Sequence, residues 1–148
     1  MAATFVGRRS RAAVAGSLVY AMTRLLNERA LGPDLPPWLD EGLARDLAAL
    51  RIEKKGATAP PASPAGAVQG VASILDLDRA RFAAEVHGPA SFALVRYLLD
   101  GEEKRHGDGF RAFLKEVADG RDADLLKALG VSPAELDEGL RAELERRP

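Results

Sequence analysis

The sequence contains no cysteine and only two histidines among its 148 residues. The lack of cysteine excludes disulfide bonds, thiolate nucleophiles and cysteine-ligated zinc. Aromatic residues make up 5% of the chain, so a core has to be built mainly from Ala, Leu and Val. The formal net charge is −1, which gives no basic surplus of the kind that nucleic acids attract. We therefore expect no nucleic-acid partner.

Long apolar runs are missing as well. No segment approaches the roughly 18 apolar residues of a membrane-spanning helix. The first residues, "MAATFVGRRSRAAVAGSLV", place arginines ahead of an apolar stretch, as a signal peptide does. However, Met22, Thr23 and Arg24 continue this stretch as an amphipathic helix without a cleavage site. We expect a soluble protein with no signal peptide and no membrane insertion.

The apolar pattern of the chain is helical. Hydrophobic residues make up 47% of the sequence, and the length fits one domain over residues 1–148. A long helix is predicted over residues 10–31, ended by Gly32-Pro33. The apolar side chains that share one face of this helix are Val14, Leu18, Met22, Leu25 and Leu26. A second helix is predicted from Pro37 to Ile52.

Residues 53–67, "EKKGATAPPASPAGA", have small side chains, prolines and no periodicity, so they predict a flexible Pro/Ala-rich surface loop. Further helices are predicted, in chain order, as one or two short segments over about 68–85, then over 89–100, 110–119 and 122–129, and from 133 onward. The segment "ATFVG" has room for one short N-terminal edge strand. The prediction is a mainly α, single compact domain of six or seven helices.

One segment carries more information than the rest, "LPPWLDEGLA" at residues 35–44. Its centre, "LDEGLARDL" at 39–47, is echoed by "LDEGLRAEL" at 136–144, so Leu-Asp-Glu-Gly-Leu alone says little. The Pro-Pro-Trp before it and the long preceding helix distinguish the first copy. Glu41 has two interpretations at this stage. It is either a carboxylate in a first helical turn, favoured by the helix dipole by about 0.3–1 kcal/mol, or a metal ligand.

A long amphipathic helix, a Gly-Pro turn and "LPPWLDEGLA" together resemble the centre of a gluzincin metallopeptidase domain. The likeness is greatest to the bacterial peptidase-MA-like domains of the thermolysin superfamily. In that family the first helix carries His-Glu-x-x-His, with two zinc-binding histidines and a general base. The next helix supplies the third ligand from Pro-x-Trp-Leu-x-Glu-Gly-Leu-Ala, a pattern that Glu41 matches. The stretch "SILDLDRARFAAEVHGPASFALVRYLLDG" also resembles the family, and the resemblance covers about residues 8–145, the helical active-site half of a gluzincin.

The chain departs from the family at the first motif. The resemblance places Tyr20 at the first histidine, Ala21 at the catalytic glutamate and Arg24 at the second histidine. Arginine cannot ligate zinc, and alanine cannot accept a proton from water. Glu41 alone cannot hold a metal, because a catalytic zinc site needs three protein ligands. The resemblance therefore implies a relic cleft, with no catalytic residue, no metal ligand set and no zinc.

Several side chains around this cleft keep alternative interpretations. Tyr20 and Arg24 share one helix face. They are either a half-buried tyrosine and a solvated arginine, or Arg24 occupies the vacated metal position and pairs with Glu41 while the tyrosine hydroxyl satisfies a polar neighbour. Trp38 is predicted in the core or the cleft wall, with an exposed aromatic anchor as the alternative. His87 is either a turn histidine near a helix N-terminus or a residue facing the cleft.

The sequence favours a catalytically inactive, peptidase-like domain that acts in peptide or protein binding or in assembly. Two alternatives remain, an active zinc-dependent peptidase or hydrolase with a non-standard site and a purely structural helical module. The second histidine, His106 in "EEKRHGDG", is predicted to be a solvated loop residue.

Overall fold

The computed structural model describes residues 11–49, 51–53, 56–58, 70–101 and 106–146. Within them the chain is mainly helical, with seven α-helices and one two-stranded antiparallel hairpin. The elements are α1 Arg11–Leu31, α2 Pro37–Ala49, β1 Arg51–Glu53, β2 Gly56–Thr58, α3 Val71–Leu75, α4 Ala84–Asp100, α5 Gly107–Ala118, α6 Leu125–Leu129 and α7 Pro133–Arg146. The mainly α fold class and the helix count are therefore confirmed. No helix in these ranges is both long and apolar enough to cross a bilayer.

The core is formed around α2 and α4, which pack closely along their length. Gly42 makes this possible, because a Cβ at this position would lie 2.6 Å from the backbone oxygen of Ser91 on α4. Leu39 and Leu94 on the two facing helices are fully buried. The remaining helices add Phe110 and other apolar side chains to the same cluster. The α2–α4 pair is thus the frame on which the other elements are placed.

The turn between α1 and α2 has a defined geometry. Gly32 adopts φ 97°, a left-handed conformation that glycine reaches without strain, and its N–H donates to the Glu28 carbonyl at 3.0 Å. Pro37 stands at the first helical position of α2, where a missing N–H costs nothing. Leu35 is buried just before it. The stiff turn fixes the direction in which the first turn of α2 points.

The structure differs from the sequence prediction at Gly88-Pro89, which does not open a helix. Helix α4 begins at Ala84 and contains Pro89 within its span. Gly88 has a packing role instead, because a Cβ there would lie 2.4 Å from the guanidinium carbon of Arg45. The glycine lets this arginine lie directly against the backbone of α4. The Gly-Pro pair, which is typical of a helix start, here allows close contact between Arg45 and the backbone of α4.

Two further predictions change near the middle of the chain. Ile52 was predicted at the end of α2, but α2 ends at Ala49 and Ile52 pairs with Ala57 in the hairpin. The predicted loop 53–67 therefore begins with paired residues, and its part from 59 onward lies outside the described residues. The predicted N-terminal edge strand lies outside them as well.

The predicted start of α7 is confirmed. The Ser132 hydroxyl accepts from the Glu135 N–H at 3.3 Å, and the Glu135 carboxylate accepts from the Ser132 N–H at 2.7 Å. These two bonds form a capping box, which satisfies two backbone donors at the helix start.

Helix α1 packs against α2 through a polar face. Thr23 and Asn27 are buried on this face, and Tyr20 is half-buried beside them. The apolar face predicted from the sequence lies on the opposite side of α1, where Leu18 and Leu25 are 59% and 68% exposed. The first helix is therefore held to the domain by hydrogen bonds more than by apolar contact.

Candidate functional site: a polar cleft between α1 and α2

Two adjacent carboxylates lie buried in the first turns of α2. Asp40 is 6% exposed and Glu41 is 2% exposed. They are buried because the turn before Pro37 directs the start of α2 toward α1 on one side and α4 on the other. A carboxyl group removed from water in this way needs hydrogen-bond partners.

Both oxygens of the Glu41 carboxylate have such partners. The Tyr20 hydroxyl on α1 donates to Oε2 at 2.5 Å. On the other side, Arg45 Nε, one turn further along α2, donates to Oε1 at 2.6 Å. The same arginine donates from Nη2 to the Ala84 carbonyl at the start of α4, at 2.9 Å. Glu41 therefore joins three helices through two side chains.

Asp40 forms a second set of contacts with α1. Arg24 donates to its Oδ2 from Nε at 2.9 Å, and the Arg24 Nη2 lies 2.8 Å from the same oxygen. Asn27 donates from Nδ2 to Oδ1 at 3.1 Å. Tyr20, Arg24 and Asn27 follow one another at helical spacing, so one face of α1 meets both carboxylates.

These contacts shift the pKa values of two groups on α1. Burial and the neighbouring Glu41 carboxylate raise the pKa of Tyr20 above its ordinary value of 10.0, so the phenol remains a hydrogen-bond donor at neutral pH. For Arg24, burial acts to lower the pKa, but attraction to Asp40 and contact with Tyr20 outweigh it and the pKa is raised. The site is thus a set of paired charges and a neutral phenol.

A cleft of about 450 Å³ opens beside these groups. Its lining combines both signs of charge with apolar side chains: Tyr20, Ala21, Arg24, Leu25, Glu28, Leu35, Asp40 and Arg79. Arg79 reaches it from the segment between α3 and α4 and donates to the Pro33 carbonyl at 2.8 Å. The cleft therefore lies at the surface between α1, the turn before α2 and the α3–α4 segment.

The structure brings three of the four predicted relic positions to this cleft. Tyr20, Ala21 and Arg24 line it, and Glu41 lies directly behind, on the Tyr20 hydroxyl. Of the two interpretations of Tyr20 and Arg24, the pairing of Arg24 with Glu41 does not occur, because Arg24 binds the preceding residue, Asp40, whereas the Tyr20 hydroxyl does bond to a polar neighbour, Glu41. On a helix, neighbouring side chains point about 100° apart. The carboxylates of Asp40 and Glu41 therefore point in different directions, and Arg24 meets the first while Tyr20 meets the second.

The two predicted wall residues lie elsewhere. Trp38 is 2% exposed and stacks on Phe113 of α5, with ring centroids 6.0 Å apart, so it is a core residue and not an exposed anchor. His87 lies in the first turn of α4, where its Nδ1 accepts from the Ala83 N–H at 2.9 Å and its ring packs against Phe82. His87 therefore lies near a helix N-terminus, as one interpretation held, but it lies within α4 and not in a turn before it.

The prediction for His106 is wrong. This residue is 8% exposed, and its Nε2 lies 3.2 Å from the Tyr97 hydroxyl. His106 directly precedes α5, and the packing of α5 on α4 places its ring against that of Tyr97. A polar sequence around a histidine does not show whether the helix after it folds back on the core.

Sequence reasoning also missed Asp40, Asn27 and Arg45, which complete the polar contacts. A signal was present, because Glu41 and Arg45 stand at the i, i+4 spacing of a helical ion pair. No comparable signal connects Asn27 with Asp40, since only the packing of the two helices brings them together.

The two copies of Leu-Asp-Glu-Gly-Leu provide an internal comparison. Their first leucines are both buried, and Gly139, like Gly42, faces a close neighbour, here the Tyr97 side chain. The glutamates differ, since Glu41 is buried and bonded across two helices whereas Glu138 is exposed. The shared pattern therefore serves helix packing, and the site at Glu41 depends on what surrounds it.

The donor set at the cleft does not fit zinc. The groups that α1 presents toward α2 are a phenol, a guanidinium and an amide, and both oxygens of Glu41 are already hydrogen-bonded. Across the described ranges, no group of three or more His, Asp or Glu side chains is placed to hold a metal ion. Comparisons with protein-family models, with curated proteins and with solved structures gave no match.

Proposed function

We propose that this chain is a catalytically inactive, peptidase-like domain, a pseudo-metallopeptidase of the gluzincin type, which binds a peptide or protein segment in the cleft beside α1. The supporting observation is the 2.5 Å bond from Tyr20 to Glu41. The gluzincin resemblance assigns these two residues to metal-ligand positions on successive helices, and in the fold they are in contact.

The chemistry of the site supports binding over catalysis. Each role in zinc-dependent peptide hydrolysis requires a specific group, and Tyr20, Ala21 and Arg24 stand where two ligands and a general base are needed. The cleft retains an apolar side at Leu25 and Leu35 and charges of both signs. Such a mixture suits a short extended peptide, whose backbone offers donors and acceptors and whose side chains supply apolar contact.

The scaffold part of the proposal is tested by rebuilding the motif. In the triple variant Tyr20→His, Ala21→Glu, Arg24→His, a gluzincin scaffold aims two imidazoles at the Glu41 carboxylate. We expect the wild type to retain no zinc after dialysis and the triple variant to retain about one zinc per chain, the stoichiometry of a three-ligand site. Adding Glu41→Gln to the triple variant should abolish the retained zinc.

A matched control keeps the histidine spacing but turns it away from α2. Leu26→His with Ala30→His places the same i, i+4 pair on the exposed side of α1. Zinc retained equally by both designs, or zinc that does not depend on Glu41, would show that the likeness to a gluzincin is accidental. Stoichiometric zinc in the wild type would favour the alternative of an active hydrolase.

The binding part is tested separately with a displayed library of random short peptides. We expect selected peptides to shift the NMR signals of cleft residues and to lose binding in Ala21→Trp, which fills the cleft. Ala30→Trp, on an exposed part of the same helix outside the cleft, is the control and should keep binding. Equal binding by both variants, or no selected peptide, would contradict the proposal and favour a purely structural module.

A further inference from the structure

The side of α1 that points away from the domain is apolar. Five large side chains on it are exposed by 40% to 68%: Leu18, Val19, Met22, Leu25 and Leu26. For residues of these sizes the exposed fractions correspond to roughly 500 Å² of surface, backbone included, which lies within the range of about 300–600 Å² for the largest apolar patch on a monomer. We call these five residues the outer face of α1; Leu25 stands at its edge and also lines the cleft.

The outer face has the spacing of a helix–helix seam. Leu18, Met22 and Leu25 are separated by four and then three residues, and Ala15 and Arg29 extend the same alternation at either end. At a rise of 1.5 Å per residue, the seam is about 21 Å long. Side chains at this spacing pack into the gaps between the side chains of a second helix that has the same pattern.

From this spacing and area we propose that the outer face binds a second copy of the chain, with the two α1 helices packed antiparallel about a two-fold axis at Met22. Such an interface uses the same patch on both copies. Complete burial of the outer face on both copies would remove at most about 1,000 Å² from water, the minimum of about 1,000 Å² expected of a biological interface. The expected complex is a dimer of moderate strength.

Charge and size favour the antiparallel direction. In a parallel pair, Arg29 would lie level with Arg29 of the second copy, and like charges would face each other. In the antiparallel pair, each Arg29 lies opposite Ala15, whose small side chain leaves room for the arginine stem. The net charge of −1 per chain adds little repulsion between copies.

A membrane surface is a poorer occupant. Helices that lie on bilayers combine an apolar face with an outward polar face rich in Lys and Arg. Here the polar face of α1 is held against α2 by Tyr20, Arg24 and Asn27.

The first test is the solution mass of the full chain by multi-angle light scattering at micromolar concentrations. We expect twice the mass of one chain for the wild type and the single-chain mass for Met22→Glu, which places two carboxylates face to face at the axis. Leu47→Glu is the control, because Leu47 is 43% exposed on α2, away from the outer face. A monomeric wild type overturns the proposal. If that monomer also binds neutral lipid vesicles, and Met22→Glu does not, the outer face binds a lipid surface instead of a second copy.

The second test needs no destabilising change. The chain has no cysteine, so a disulfide in Met22→Cys can form only between copies. We expect mild oxidation to join most of this variant into dimers but not Arg29→Cys, whose positions lie about 21 Å apart in the antiparallel pair. Equal cross-linking of both variants overturns the antiparallel arrangement. Arg79→Glu, which changes the cleft lining from the α3–α4 segment and not from α1, should dimerise normally, which separates dimer formation from the cleft.

Discussion

Replacing Tyr20 by phenylalanine removes one hydroxyl and leaves the ring, so it isolates the bond that joins α1 to Glu41. The hydroxyl donates to a carboxylate that is 2% exposed, at 2.5 Å. Hydrogen bonds to charged partners contribute about 1.5–3 kcal/mol. Water reaches the half-buried Tyr20 and replaces part of the bond, so we expect a loss of about 2 kcal/mol. For a chain of this length, that loss lowers Tm by about 4–8 °C.

The assay is urea and thermal unfolding followed by circular dichroism, arranged as a double-mutant cycle. Tyr20→Phe and Glu41→Gln are measured singly and together, and we expect a coupling free energy of about 1 kcal/mol. Tyr97→Phe is the control, since its hydroxyl lies against His106 and its effect should add to that of Glu41→Gln. Additivity of Tyr20→Phe and Glu41→Gln within about 0.3–0.5 kcal/mol would refute the bond between α1 and α2.

Three further results are expected. Because folding raises the pKa of Tyr20, its stabilisation is complete below about pH 10 and is lost as the pH rises through the folded value, so the unfolding free energies of the wild type and Tyr20→Phe should converge in alkaline buffer. Gly42→Ala, whose Cβ meets backbone at 2.6 Å, should cost about 2–3 kcal/mol in urea unfolding. Gly16→Ala, whose nearest contact is 3.9 Å, should stabilise the protein by about 0.5–1 kcal/mol, and destabilisation there would contradict the packing of α1. Arg45→Met and Arg24→Met should each cost about 1–2 kcal/mol in the same assay, because each removes one partner of a buried carboxylate while the arginine side chains themselves are 36% and 45% exposed. No measurable loss in either variant would contradict the corresponding ion pair.

Much of the helical architecture could be predicted because its signals are local. The end of α1 at Leu31 was predicted, since apolar periodicity and Gly32-Pro33 both act within a few residues, whereas its predicted start at residue 10 lies outside the described residues. The start of α7 at Pro133 was also predicted, and the Ser132–Glu135 capping box that the structure shows there is a local signal of the same kind. The start of α4 could not be predicted, because Gly88 serves a contact with Arg45, which is far away in the sequence. A sequence does not distinguish a glycine that ends a helix from one that admits a neighbour.

The candidate site was predictable in position but not in its contacts. The gluzincin resemblance implied that Tyr20 and Arg24 of α1 would lie near Glu41, and Tyr20 does contact it. The partner of Arg24 depended on a rotation of about one residue between two packed helices, which hydrophobic patterns do not specify. For the same reason, the sequence shows that α1 is amphipathic but not which face meets the domain.

The polar attachment of α1 has a consequence for how the molecule unfolds in parts. Opening of α1 breaks hydrogen bonds at Tyr20, Arg24 and Asn27 but exposes little apolar surface. In native-state hydrogen exchange, the α1 amides of a single copy should therefore exchange through an opening that depends weakly on urea and has a small heat-capacity change. The amides of α4, whose apolar side chains fill the core, should exchange only through an opening with the steep urea dependence of global unfolding.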